Sequence, residues 1–277
     1  MNVAYENIIV EKLERVARVT LNRPDKLNAL SGPLMKEMEQ ALIELDDAEE
    51  TSVVIVRGAG RAFCAGYDIT PAKGDTRAKA RQNMDITGDR ERLRRTVTRW
   101  FNALWDLRMP VIAQVHGHCL AGGSELAMMC DLVVAADDAR IGHPAVRSMG
   151  TPPTNIYPYL LGLRKAKEMV LTGEVLSGIR AAELGVVNYH YPADRVEAET
   201  LALARRIAKT PKEMLALNKM SVNKAFEVMG IRLGAHLGVE YDAMGHFTRT
   251  AFDFWEVAER DGLKAALDRR DKPYEKK

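Results

Sequence analysis

The sequence predicts an α/β core with a parallel sheet, followed by a helical C-terminal part. Three observations predict it. Residues 53–56 are wholly apolar and rich in valine, and residues 111–115 nearly so, as strands buried on both faces require. Strand, loop and helix patterns alternate at least twice, and helical crossovers between parallel strands produce that alternation. In the last third, Val196, Thr200, Leu203 and Ile207 recur at helical spacing.

Taken in order, residues 8–11 and 16–21 read as a strand hairpin ended by Asn22, Arg23 and Pro24. Ser31 can cap a helix over residues 33–45, with Leu34, Met38 and Leu42 on one face. A strand at 53–56 leads into a glycine-bearing loop, 58–66. Residues 71–89 are polar without a clear period and are expected to be irregular or mobile. Residues 90–107 read as helix and stop at Met109 and Pro110. A strand at 111–115, a Gly-rich turn at 116–123, a short helix at 125–130 and a strand at 132–136 follow. Asp194 is placed to cap the next helix, with Glu197 completing a capping box. Pro211 starts another helix, and from Ile231 the chain reads as helix almost to its end, where 272–277 is a charged, frayed tail.

Composition narrows the function. A chain of 277 residues makes one large domain or two small ones, and its 47% hydrophobic share fills a core. Forty Lys and Arg against 38 Asp and Glu leave a net charge of +2. Such a balance argues against nucleic-acid binding, although it allows a local basic patch for a phosphorylated ligand. Cys64, Cys119 and Cys130 are scattered, without a CxxC pair. Neither a disulfide framework nor a zinc site is expected, and a reducing cytoplasm is the expected compartment. Residues 1–11 lack the pattern of a signal peptide. No run approaches the roughly 18 apolar residues of a membrane span. No metal-ligand spacing or dinucleotide fingerprint is present, so no metal or separate cofactor is expected.

Two residue patterns carry chemistry. Gly122 and Gly123 lie between a buried strand and a helix, so their N–H groups stand at a helix N-terminus, where a developing anion is favoured. A tight turn would use the same pair. Glu125 follows in the first helical turn among Leu126, Ala127, Met128 and Met129. A carboxylate buried there is costly unless paired or functional, and it suits general acid or base work. Its plainer role is to complement the helix dipole.

Four stretches in this order resemble the crotonase (enoyl-CoA hydratase/isomerase) superfamily. They are Leu21-Asn22-Arg23-Pro24-Asp25-Lys26-Leu27-Asn28-Ala29-Leu30; Arg61-Ala62-Phe63-Cys64-Ala65-Gly66-Tyr67-Asp68-Ile69; His116-Gly117-His118-Cys119-Leu120-Ala121-Gly122-Gly123-Ser124-Glu125-Leu126-Ala127-Met128-Met129-Cys130-Asp131; and Met169-Val170-Leu171-Thr172-Gly173 through Ala181, Leu184, Gly185 and Val187. The resemblance implies a spiral of ββα turns over residues 1–195 and a helical region, 196–277, for oligomerisation and active-site closure. It also implies a homotrimer or a dimer of trimers, and an acyl-CoA thioester as substrate, with coenzyme A belonging to the substrate. Two backbone N–H groups, those of Tyr67 and Gly122, would stabilise the enolate oxygen, each worth about 3–4 kcal/mol. Most members carry a small residue where Tyr67 stands. Ala62, Ala65 and Gly66 would meet the nucleotide end of CoA, and Asp68 and Ile69 would line the pantetheine path. Lys26 and Leu27, with Arg23 beside them, fall where the CoA phosphates would lie. As isolated charges, Arg23 and Lys26 read more readily as solvated surface than as phosphate ligands, and the arginines of 90–99 read as a solvated face.

By the same resemblance Glu125 is one of two catalytic glutamates. The second would follow Pro144, and Ala145 stands there. Substitutes are His143, an imidazole of the kind that changes charge near neutrality, Arg147, which could hold an anionic acyl group, and Tyr157 or Tyr159 as hydrogen-bond donors. His116 and His118 are expected to orient the Gly-rich turn, Asp131 to fix the turn after it, and Met128, Met129 and Met149 to fill the core. The leading expectation is an enoyl-CoA hydratase-like lyase with Glu125 as acid and base. The alternatives are a single-base enoyl-CoA isomerase, a CoA-thioester hydrolase or decarboxylase, and a catalytically weak acyl-CoA binder.

Overall fold

The computed structural model describes residues 5–70 and 85–274. Strands β1 (Ile8–Leu13) and β2 (Val16–Leu21) form the expected antiparallel hairpin, turning at Glu14 and Arg15. Helix α1 (Gly32–Asp47) begins at Ser31, whose Oγ accepts from Leu34 N–H at 3.3 Å. It buries Leu34, Met38 and Leu42.

From β3 onward one unit repeats. Strands β3 (Val53–Gly58), β5 (Val111–Val115) and β7 (Leu132–Ala136) lie side by side and parallel in one sheet. Each is followed by a short strand that crosses into a second sheet: β4 (Ala62–Cys64), β6 (His118–Leu120) and β8 (Arg140–Gly142), again parallel neighbours. Two sheets advancing in step make a spiral of ββα turns. Strands β9 (Val175–Leu176) and β10 (Tyr189–Tyr191) complete the small and large sheets respectively. The large sheet runs β1-β2-β3-β5-β7-β10 and the small one β4-β6-β8-β9. Both predicted loops, 58–66 and 116–123, therefore contain three-residue strands. These are too short to show a period and sit among glycines.

The helical residues between β4 and β5 start earlier than expected. Helix α2 (Ile86–Leu93) is capped by Asp85, whose Oδ1 accepts from Gly88 N–H at 2.6 Å. It continues through a π-turn (Arg94–Thr98) into α3 (Arg99–Trp105). The part of the irregular stretch up to residue 84 lies outside the described residues. The Arg-rich face is largely exposed, as expected, and carries ion pairs: Arg90 and Arg94 reach Glu240, and Arg99 reaches Glu39.

Helix α4 (Gly122–Met129) enters the core directly after β6, and every one of its residues is buried. Helices α5 (Tyr157–Thr172) and α6 (Gly178–Glu183) flank β9. Helix α7 (Val196–Ile207) lies across β3, β5 and β7, and Val196 and Ala204 belong to the same core as the sheet. Its N-cap position is Arg195, without a side-chain cap. The expected capping box does not form, because Glu197 is drawn to Arg18 and Arg57 at 3.0 Å each. Helices α8 (Lys212–Val228), α9 (Ile231–His246), α10 (Arg249–Asp261) and α11 (Leu263–Asp271) complete the chain. The predicted single run after Ile231 is three helices, separated by a turn closed by Thr248 and by Gly262. Among the described residues no helix is long and apolar enough to cross a membrane.

Candidate active site

The spiral brings the first three motifs to one place. Leu27 and Asn28 both take positive φ, 50° and 56°, which turns the 23–30 segment back towards β4. Asn28 is fully buried, and its Nδ2 donates to Ala59 O at 2.9 Å and to Ala62 O at 2.7 Å. Ala65 N–H donates to Leu27 O, Leu30 N–H to Gly66 O, and Asp68 N–H to Leu30 O. Arg23 adds a 2.8 Å ion pair to Asp68. Burial acts to raise the Asp68 pKa, but hydrogen bonds from Arg23 and Thr70 outweigh it and hold the carboxyl below its usual range.

This ladder orients Tyr67. In a parallel pairing, a residue flanked by two bonds to the neighbouring strand turns its own N–H and C=O the other way. Bonds to Leu30 from the residues on either side of Tyr67 thus aim the Tyr67 N–H away from Leu30. Gly122 is the first residue of α4, so its N–H has no acceptor within the helix. The two segments are in close contact. A Cβ on Gly66 would lie 3.4 Å from Gly122 N and 3.0 Å from the Ala121 Cβ, and one on Gly123 would lie 2.2 Å from Cys64 O. Ala121 enters the turn at φ 49° and ψ −125°, a conformation held only where the surrounding structure enforces it. The Tyr67 ring lies against the Gly122 turn: a Cβ on Gly122 would meet it at 2.7 Å. The ring forms a wall over the turn, packed on Leu93, Val97, Val239 and Ala243. Burial, with the nearby Glu125 and Asp242 charges, pushes its phenol well above the ordinary range.

Glu125 stands one turn further on and is 1% exposed. Its Oε1 accepts from Thr154 N–H at 2.9 Å and from Thr154 Oγ1 at 2.5 Å. Its Oε2 has no hydrogen-bond partner among the described residues and faces His143 Nε2 at 3.6 Å. His143 is 4% exposed, and neither ring nitrogen has a hydrogen-bond partner among the described residues. Three buried polar atoms therefore converge without partners of their own, an arrangement that folded proteins avoid outside functional sites. Thr154 was not singled out from sequence. Its motif, two prolines followed by a threonine, gave the one available signal.

The remaining candidates are engaged elsewhere. Tyr157 shares a 2.6 Å bond with Ser124 Oγ, which also donates to Ala121 O and Gly142 O and so locks the start of α4. Tyr159 donates to Gly230 O at 2.8 Å. Arg147 binds Thr172 O, Gly173 O and Asp271 and lies 4.1 Å over the Tyr274 ring, tying down the C-terminus rather than holding an anionic acyl group. His116 braces the turn by bonding Gly60 O at 2.9 Å. The His118 Nδ1 is buried without a partner among the described residues, and burial together with Arg140 and Arg61 lowers its pKa. Asp131 was expected to fix the turn after it; instead it reaches back to Val111 N–H at 2.7 Å and across to Lys219 at 2.8 Å. Met128 and Met129 are core residues, while Met149 packs with Ile69 on a separate cluster around Phe254 and Trp255. Lys26 is exposed at the end of a short 3-10 turn (Pro24–Lys26), near the Leu27 carbonyl that holds Ala65.

A family described as enoyl-CoA hydratase/isomerase matches residues 11–277. A protein of Mycobacterium bovis named a probable enoyl-CoA hydratase is 36% identical over 233 residues, 81% of this chain and 84% of its own. The crotonyl-CoA hydratase of Syntrophomonas wolfei is 32% identical, covering 97% of both chains. The crystal structure of an enoyl-CoA hydratase/isomerase from Xanthobacter autotrophicus superposes with a TM-score of 0.90 at 34% identity, over 99% of this chain and all of that one. The two-sheet spiral, the Gly122 turn meeting the Tyr67 strand, and these matches over nearly the full length place the chain in the enoyl-CoA hydratase/isomerase family, with the crotonase fold.

Proposed function

We propose that the protein is an enoyl-CoA hydratase: it binds a 2-enoyl-CoA thioester and adds water across the double bond. One observation carries the reading. Glu125 holds one carboxylate oxygen in two hydrogen bonds and presents the other, buried and unbonded, to His143. A carboxylate fixed in this way is preorganised to take a proton. The thioester oxygen would lie between the N–H groups of Tyr67 and Gly122. Both point away from their own secondary structure, and such donors aimed at a developing oxyanion are commonly the largest contribution to catalysis. Water would sit between Glu125 Oε2 and His143, attack the β-carbon and yield its proton to Glu125.

The CoA moiety would follow the seam between residues 26–27 and 62–69. There Lys26, Leu27, Ala62, Ala65, Gly66, Asp68 and Ile69 line adjoining strands and turns. No cofactor enters this mechanism. Assembly as a trimer or a dimer of trimers is supported by the apolar side chains that α8, α9 and the turn between them leave exposed, among them Val228, Met229, Leu233, Leu237 and Tyr241. A second reading, double-bond isomerisation, is favoured by Ala145, because one carboxylate can carry a proton between two carbons.

The purified protein, given a panel of 2-enoyl-CoA and 3-enoyl-CoA esters, separates these readings. A product heavier by one water is expected from the 2-enoyl esters. A migrated double bond at unchanged mass would establish an isomerase. Neither product, in a protein that CoA esters nevertheless stabilise, would leave a binder.

A further inference from the structure

Glu125 accounts for one proton transfer, but hydration needs two: water loses a proton and the α-carbon gains one. We propose that Asp242 is the second proton-transfer carboxyl of this site, held in place by His246 and giving its proton to the α-carbon. The proposal rests on the reading of the site as an acyl-CoA hydratase.

Helix α9 lays its Gly238, Asp242 and Gly245 face directly on the backbone that precedes Thr154. A Cβ on Gly238 would stand 2.4 Å from Pro153 O, and one on Gly245 would stand 2.8 Å from Gly150 Cα. The Asp242 Oδ1 occupies the space over Gly150, 2.2 Å from where a Cβ would be. A single loop therefore has Asp242 packed on it and also supplies Thr154 to Glu125. The Asp242 side chain is 8% exposed, and its one charged contact among the described residues is His246 Nε2 at 3.5 Å. The other ring nitrogen of His246 is bonded to Asp89 at 2.6 Å, and Asp89 in turn to Arg92 at 2.7 Å. Arg92, Asp89, His246 and Asp242 thus form a chain of ionisable groups running from the surface towards Glu125.

A buried carboxyl that has no hydrogen-bond donor, as Asp242 has none among the described residues, favours its protonated form. The groups facing Asp242 are His246 on its own helix, Asp89 from α2, Tyr67 after β4, Glu125 from α4 and His143 before the Pro144–Arg147 turn. Burial pushes Asp242 up to about 6, the Glu125 and Asp89 charges add to that, and the two histidines oppose it. The carboxyl is thereby suited to give up a proton near neutrality. In the reaction, Glu125 takes a proton from water as the water oxygen bonds the β-carbon, and the π-electron pair moves onto the thioester oxygen. When the carbonyl re-forms, the α-carbon takes the Asp242 proton. The proton on Glu125 then returns to Asp242 through solvent, and one water has been added.

The test is hydration of crotonyl-CoA by the full-length Asp242→Asn protein, with kcat, KM, the pH profile and thermal melting recorded. The expected result is a fall in kcat of about 100-fold, with KM and folding preserved. In the wild type, kcat/KM should decline as pH rises through the Asp242 titration at about 6, and the variant should lose that limb. Adding Ala145→Glu to Asp242→Asn should restore part of the rate, since it puts a carboxyl where the relatives are expected to carry one; a merely structural aspartate would not be rescued this way. A variant with wild-type kcat overturns the proposal. So does a loss of rate matched by an equal loss of CoA-ester binding with the pH limb intact. A wild-type protein inert towards every enoyl-CoA ester overturns the functional reading, and this proposal with it.

Discussion

Glu125 and Asp242 are both buried acids near one loop, but they are held in opposite ways. Glu125 sits on a helix sunk in the sheet core, with two hydrogen bonds fixing one of its oxygens. Asp242 sits on a peripheral helix, with a 3.5 Å contact to a histidine and no hydrogen bond among the described residues. The two bonds fix where the Glu125 carboxylate lies, whereas burial pushes the poorly bonded Asp242 up to about 6. The site thus pairs an acid fixed in geometry with one whose charge state is easily changed.

The largest effect should come from Glu125→Gln, which keeps the Thr154 bonds in shape while removing the proton acceptor. Turnover should fall roughly a thousandfold, with CoA-ester binding retained in titration calorimetry. Second is stability. Between the ordinary carboxyl range near ~4 and about 6, the folded state holds on Asp242 a proton that the unfolded state has already released. Stability therefore falls as pH rises across that window and stays reduced above it. Asp242→Asn removes the loss, so denaturant melts at pH ~8 should show a gain of roughly 3 kcal/mol, vanishing below about pH 4.

Asp89 has the opposite sign. Burial acts to raise it, but the hydrogen bonds from His246 and Arg92 together outweigh that and hold it at about 2. Its contribution is present above the ordinary carboxyl range and is lost as pH falls towards about 2. Asp89→Asn should therefore destabilise at neutral pH, as a shifted urea midpoint would record. Next, Thr154→Val removes the hydroxyl bond to Glu125 and keeps the backbone one. A loss of about 1.5–3 kcal/mol of transition-state stabilisation is expected, read as a kcat decrease at little-changed KM. The smallest effect is at the surface. Arg95 is 78% exposed in its pair with Glu91, and Arg95→Ala should move the melting midpoint by less than about 0.5 kcal/mol in free-energy terms.

The same contrast explains what was legible in the sequence. Five of the six strands of the large sheet, including the hairpin, and α1 follow from apolar runs and one capping serine, because burial leaves a local signature; β10, three residues long and mostly exposed, leaves none. The Gly122 turn and Glu125 were legible for the same reason: a glycine pair and a lone acid interrupt an apolar stretch. Strands β4 and β6 were not, since three residues cannot show a period. Nor was the Asp89, His246 and Asp242 chain, whose members come from distant parts of the sequence and meet only once α9 packs on the 150–153 segment. One trace of that packing was present. Gly234, Gly238 and Gly245 lie in a single helix, where glycine is costly unless another backbone must come close. The anchoring of Arg147 was not legible either, because nothing in its local sequence shows the carbonyls of Thr172 and Gly173 that it bonds.

The most direct test of the central claim uses crotonyl-CoA in heavy-oxygen water, comparing wild type with Glu125→Gln by product mass. If Glu125 activates water at the Tyr67 and Gly122 turn, the wild-type product gains one labelled water and the variant yields almost none. A Glu125→Gln protein that forms the labelled product at the wild-type rate would contradict the account.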